Sequence, residues 1–285
     1  MSRAEASATA APEAPAPLVA PVVDSHCHLD MCAQDGGPTL DEAMAAAAAV
    51  NVTKVIQVGC DVAGSAWAVQ AAASHPDVWA AVALHPNEAP RIHAEGGLQM
   101  LESAWSAIEE LAARPEVRAI GETGMDFFRT PRGGQAVQEE SFRRHIQIAK
   151  DLNKTLVVHD RDAHDDVLRI VDDEGAPETV VLHCFSGDAD FARAAAERGW
   201  YCSFAGVVTF KNAVALREAL EVVPENRVLV ETDAPFLTPV PHRGKSNGSY
   251  LIPLTVRAMA DVRGKSEVQL CAALMANSHR AFGPL

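Results

Sequence analysis

Histidines and carboxylates recur along this chain at the ends of short β-branched runs, and that recurrence limits what the chain can fold into. His26 and His28 close Val22-Val23-Asp24-Ser25-His26-Cys27-His28. Glu122 closes Val117-Arg118-Ala119-Ile120-Gly121-Glu122, and His159 closes Leu156-Val157-Val158-His159. His183 closes Val180-Val181-Leu182-His183, and Asp233 closes Val228-Leu229-Val230-Glu231-Thr232-Asp233. Parallel strands of a closed β/α barrel all point one way, and their carboxyl ends converge on the face where active sites form. Residues far apart in sequence would then meet in one pocket. Four imidazoles and two carboxylates are too many for one tetrahedral site and suggest two metal ions.

The rest of the chain alternates in the same sense. Runs at 52–58, 78–84 and 201–205 add three strands to the five that carry ligands. Helical patterns fall at 39–50, 64–74, 97–113, 135–151, 163–173, 189–198 and 212–222, with two more within 250–261 and 266–282. Eight near-continuously apolar strands with helices between them predict an α/β fold, a (β/α)8 TIM barrel, over residues 21–285 as a single domain. An open doubly wound sheet is the structural alternative, and it would scatter the ligands along an edge. The length of 285 residues accommodates a barrel of about 250. Aromatics are only 5% of residues, so the core is expected to be mostly Ala, Val, Leu and Ile.

A formal net charge of −14 argues against a broadly basic surface that coats nucleic acid. It does not exclude nucleic acid as a substrate, because bound dications change the local field. The six cysteines form no CxxC pair and read as small core residues of a reducing compartment. Cys27 and Cys184 neighbour candidate ligands, but Cys27 alternates away from His26 and His28. Residues 1–20 are rich in Ala and Pro and are expected to be a disordered tail. No apolar run approaches a membrane span, and a cytoplasmic location is expected.

Each candidate has a bland alternative. Two-residue spacing puts His26 and His28 on one strand face, although chance polar residues at a strand end would look the same. Glu122 lies between Gly121 and Gly124, where a carboxylate can bridge two cations; an ordinary loop acid is the alternative. His159 and His183 would each read as structural alone, but they end successive strands in register with the other ligands. Asp233 suits both metal ligation and acceptance of a proton from water. Its alternative is a helix N-cap, which Pro235 and Pro239 disfavour. Asp126 is read as ordering its loop or supporting a ligand. The irregular segment 238–248 follows Asp233 and is expected to border the site.

Five runs also carry a family resemblance. They are Asp24-Ser25-His26-Cys27-His28-Leu29-Asp30, Gly121-Glu122-Thr123-Gly124-Met125-Asp126-Phe127, Val158-His159-Asp160-Arg161-Asp162-Ala163, His183-Cys184-Phe185-Ser186-Gly187 and Glu231-Thr232-Asp233-Ala234-Pro235-Phe236-Leu237. Together they resemble the TatD-type metal-dependent nucleases, within the amidohydrolase-like barrels, over residues 22–282. The resemblance implies hydrolysis of DNA phosphodiesters with two divalent ions. It implies one ion on His26, His28, Glu122 and Asp233, the other on Glu122, His159 and His183, and Asp233 as general base. It places His85 of Leu84-His85-Pro86-Asn87 facing the substrate; the motif commonly ends in a second His, where this chain has Asn87. The loop Arg243-Gly244-Lys245-Ser246-Asn247 also matches, with Gly248 where the family often has Pro.

The ions would be Mg, Mn or Zn. Arg161 and Arg243 are candidate substrate contacts. Their alternatives are pairing of Arg161 with Asp160 or Asp165, and an exposed loop charge at Arg243. Phe127, Phe128, Arg129 and Arg132 could hold bases and phosphates of a single strand, or simply anchor a loop. Single-stranded DNA is the favoured partner, and the protein is expected to be a monomer. A barrel hydrolase of esters, lactones or amides is the competing reading. Several such enzymes bridge their metals with a carboxylated Lys from the fourth strand, and no Lys lies between Val117 and Asp126. A non-catalytic scaffold is the third reading, opposed by the complete ligand set.

Overall fold

The computed structural model describes residues 11–284. Eight parallel strands pair in the order β1 to β8. Strand β1 (Val22–Cys27) leads through the short α1 (Leu29–Cys32) and α2 (Leu40–Ala48) to β2 (Val52–Gly59). Then come α3 (Val62–Ser74), β3 (Val78–Val82), α4 (Glu88–Ala112) and β4 (Val117–Asp126). The second half runs α5 (Arg132–Asp151), β5 (Thr155–Arg161), α6 (His164–Glu174), β6 (Val180–Leu182), α7 (Ala189–Glu197), β7 (Tyr201–Phe204), α8 (Val214–Val222) and β8 (Val228–Val230). Helices α9 (Ile252–Arg263) and α10 (Glu267–Phe282) complete it. This is a TIM barrel. No helix among the described residues is long and apolar enough to cross a membrane.

The seam between β1 and β8 is made by a single bridge, Cys27 to Ala234, rather than a full ladder. Polar groups complete it. The His28 N–H donates to the Ala234 carbonyl (2.8 Å), and the Asp233 N–H donates to the His26 carbonyl (2.9 Å). Asp24 accepts from the Thr232 N–H (2.9 Å) and hydroxyl (2.6 Å). Burial pushes the Asp24 carboxyl up to about 7 against these bonds. Closure at this seam fixes Asp233 beside the His26–His28 pair.

Alternation along the strands separates two apolar layers. Val55 packs outward with Met44 of α2 and Ala71 of α3. Its neighbour Ile56 joins Val58, Ala81, Val157, Val181 and Leu229 inside the barrel, where Phe282 of α10 plugs the floor. Thr39 caps α2 and Ser266 caps α10, each in a reciprocal capping box.

Three expectations need correction. Glu122 and His159 do not end their strands: β5 runs on to Arg161, and β4 runs on to Asp126, with a register irregularity between Ile120 and Thr123. Gly121 (φ 157°) and Gly124 (φ 140°) allow this, since a Cβ at either would overlap Val157 or the His159 carbonyl of β5. Helix α4 starts at Glu88 rather than near residue 97, breaking at Gly97 (φ 66°). Pro90 is tolerated there because first-turn N–H groups have no intrahelical partner. Part of the Ala/Pro-rich segment 11–20 contacts the barrel. Leu18 is buried, its N–H donates to the Val50 carbonyl (3.1 Å), and Arg257 donates to the carbonyls of Ala16 and Pro17. Residues 1–10 lie outside the described residues.

Candidate metal centre and active site

Side chains from five other parts of the barrel gather around Glu122 of β4. Its two oxygens face different partners. Oε2 lies 3.5 Å from His26 Nε2 and 3.8 Å from His28 Nε2. Oε1 lies 2.5 Å from His159 Nδ1, 2.8 Å from His183 Nε2 and 3.3 Å from His85 Nε2. Asp233 Oδ1 closes the first group, 3.3 Å from His28 Nε2 and 3.9 Å from His26 Nε2. Asp233 caps no helix: its carbonyl accepts from the Phe236 N–H (2.9 Å), and α9 begins only at Ile252.

Hydrogen-bond partners fix the imidazole tautomers and separate acceptors from donors. His28 Nδ1–H donates to the Val58 carbonyl (2.9 Å), so its Nε2 lone pair points into the cluster. His183 Nδ1–H donates to Glu231 Oε1 (3.2 Å), with the same result. His85 is opposite. Its Nδ1 accepts from the Asn87 N–H (3.0 Å), so a neutral ring carries its proton on Nε2, toward Glu122. A neutral His85 is therefore a donor at the wall of the cluster, whereas His28 and His183, when neutral, offer Nε2 lone pairs.

The electrostatics of the cluster call for cations. Glu122 is 4% exposed and Glu231 0%, and an ionised buried carboxylate costs several kcal/mol unless it is paired. Burial pushes Glu122 up, but His183, His85 and His159 outweigh it and hold it well below the usual carboxylate range. Burial pulls His183 down, but Glu122 and Glu231 outweigh it and hold the ring well above its ordinary value. The donor set of ring nitrogens and carboxylate oxygens, gathered closely in groups such as His26, His28 and Asp233, fits divalent metal.

A second layer orients these groups. Asp126 accepts from the Arg129 N–H (2.7 Å) and the Asn87 amide (3.1 Å), and lies 3.4 Å from His159 Nε2. Burial raises its carboxyl, yet these partners hold it below the ordinary range. Asn87 also accepts from the Thr130 hydroxyl (2.8 Å), so it clasps the β3 exit to the loop after β4. Glu231 accepts from the Cys184 N–H (2.7 Å) as well as from His183.

An open cavity of about 570 Å³ lies over the cluster. His28, His85, Glu122, His159, His183, Asp233 and Arg161 line it, with His26 buried beneath. Arg161 stacks its guanidinium 4.0 Å from the Phe128 ring, and Asp160 pairs instead with His164 (2.7 Å). Arg243 is absent from the cavity wall; it is exposed and lies over Phe210 at 4.4 Å. Three wall or support residues escaped the sequence reading. Cys60 lies 3.7 Å from His28 Nδ1 and 3.9 Å from Glu122 Oε2, and its only sequence signal is its place just after β2. Glu231 and Phe236 flank Asp233 within its own motif.

The fold and this donor set define a metal-dependent hydrolase of the barrel class. The TatD related DNase family model matches residues 23–283, and the chain belongs to that family. A Mycobacterium tuberculosis protein named uncharacterized metal-dependent hydrolase TatD is 42% identical over 266 residues, covering 92% of this chain and 98% of that protein. A Citrobacter rodentium protein named 3'-5' ssDNA/RNA exonuclease TatD is 36% identical over 251 residues, covering 85% and 91%. The crystal structure of the TatD homolog YJJV from Escherichia coli superposes with a TM-score of 0.83 at 23% identity, covering 93% and 98%, a likeness of fold.

Proposed function

We propose that this protein is a nuclease that hydrolyses phosphodiester bonds of DNA, single strands preferentially, with two divalent ions. The observation that carries the reading is the division of Glu122, one oxygen toward His26 and His28 and the other toward His159 and His183. His26, His28, Glu122 and Asp233 would hold one ion; Glu122, His159 and His183 would hold the other. The printed name of the Citrobacter relative supports a nucleic-acid substrate.

Bound divalent ions supply Lewis-acid charge to a phosphate and lower the pKa of water. The chain's own residues do the rest. Asp233 keeps 16% of its side chain exposed against 5% for Glu122, so water reaches it. Burial raises the Asp233 carboxyl, but His28, His183 and His26 hold it below the usual range. It is thus ionised at neutral pH and free to take or orient a water proton. His85 and Arg161 line the cavity, where they would donate to phosphate oxygens. Asp126 and Asn87 keep His159 and His85 in place.

The experiment is digestion of single-stranded DNA by chelated, purified protein, with Mg, Mn or Zn restored separately and Asp233→Asn as control. Metal-dependent cleavage that disappears in the control is expected. No cleavage with any metal, despite bound ions, would turn the reading toward an ester, lactone or amide substrate.

A further inference from the structure

Among the described residues, only two aromatic side chains are exposed large hydrophobics: Phe128 (65%) and Phe236 (52%). Phe236 lines the cavity, and Phe128 borders it through Arg161. Phe128 follows Asp126 by two residues, and Phe236 follows Asp233 by three. Phe127 packs against the core, so exposure belongs to Phe128 alone of that pair.

Both rings stand on fixed turns. Asp126 holds the first turn, accepting from Arg129 N–H at its side chain (2.7 Å) and from Thr130 N–H at its carbonyl (3.3 Å). In the second turn the Phe236 N–H donates to the Asp233 carbonyl (2.9 Å), and the Phe236 carbonyl accepts from the Asn247 amide (2.7 Å). Backbone held this firmly keeps both rings exposed at these positions.

Their neighbours specify the ligand. Arg161 lies 4.0 Å from the Phe128 ring and lines the cavity together with Arg129. Phe236 lines the same cavity, its ring edge-on to His28 at 6.4 Å. Flat apolar faces beside guanidinium groups, at the edge of a phosphodiesterase site, suit alternating bases and phosphates. Paired bases in a duplex do not present their faces, whereas a single strand does.

We propose that Phe128 and Phe236 are stacking platforms for unpaired nucleobases on either side of the scissile phosphate, and that they set the preference for single strands. The proposal rests on the nuclease reading above and adds the residues that select the substrate.

The test measures binding by metal-supplied, full-length Asp233→Asn protein. The probes are labelled oligothymidylate and an abasic oligomer of equal length, made of tetrahydrofuran sites. Phe128→Leu and Phe236→Leu are introduced in that background; each keeps apolar bulk and removes the π face. Both sites are exposed, and thermal melts check that the variants fold. The parent is expected to prefer oligothymidylate. Each variant is expected to lose on the order of tenfold on it and nothing on the abasic oligomer. Variants that bind oligothymidylate like the parent, or a parent without preference for it, would overturn the stacking role and leave a phosphate-binding nuclease. A parent that binds neither oligomer would remove the nuclease reading and this inference with it.

Discussion

The two ends of the barrel use polar side chains in opposite ways. At the floor they serve the backbone. The Lys154 ammonium donates to the Ala112 and Arg114 carbonyls, the Thr155 hydroxyl to Ala281, and the Asn277 amide to Glu225 (2.7 Å) and Val228 (2.8 Å). Phe282 fills the space above them. At the mouth, imidazoles and carboxylates face one another: His26, His28, His159, His183, Glu122 and Asp233. The same strands thus secure the fold at one end and gather charge at the other, the division expected of this barrel. Substitutions at the floor should cost stability and spare chemistry, and those at the mouth should do the reverse.

The largest effect is expected at Glu122. Glu122→Ala should lower turnover on single-stranded DNA by on the order of a thousandfold, since it removes the carboxylate that the two proposed ion sites would share. Its far-ultraviolet circular dichroism should remain that of the wild type. Near-normal turnover would break the comparison at its centre.

Phe282→Ala is the counterpart at the floor. It should cost about 3–5 kcal/mol in urea unfolding, the range for a buried aromatic truncated to Ala. Turnover per folded molecule should stay unchanged. A selective loss of turnover would mean that floor and mouth are coupled.

His145 of α5 sharpens the contrast, because it supports the mouth from outside the cluster. Its Nε2 accepts from the Leu84 N–H (3.0 Å), and its Nδ1–H donates to the Ser141 carbonyl (2.7 Å). Burial pulls its pKa from 6.5 down to about 4. The folded protein therefore prefers the neutral ring. Its stabilisation is full above about pH 6.5 and is lost as pH falls toward 4, by roughly 3 kcal/mol. Unfolding free energies of wild type and His145→Gln, compared at pH 7 and pH 4, should show this slope in the wild type only.

The smallest effect is expected at Asn87, which touches the cluster only through Asp126 and His85. Asn87→Ala should lower turnover about tenfold, within the range for residues that orient ligands. Stability should change little. An unchanged turnover would show that Asp126 needs no such clasp.

The sequence made the barrel and its convergent ligands legible because both follow from strand periodicity and from the common direction of parallel strands. Positions set by distant partners were not legible. The extension of β4 to Asp126 depends on how closely Gly121 and Gly124 approach β5. The anchoring of Leu18 depends on Val50 and Asn51, and that of Ala16 and Pro17 on Arg257, about 240 residues away. The early start of α4 was hidden by Pro90 and by Gly96-Gly97, which read locally as breakers. Tautomers, which set His85 apart from His28 and His183, come from backbone partners that no spacing rule encodes. Arg243 matched a motif, yet its side chain turned to Phe210.

The division of Glu122 between two imidazole groups is best tested by counting ions. Full-length protein would be dialysed to equilibrium against Mn, and the bound metal measured by mass spectrometry. Two ions per chain are expected in the wild type and fewer than one in Glu122→Ala. A single ion in the wild type, or two retained by the variant, would contradict that division.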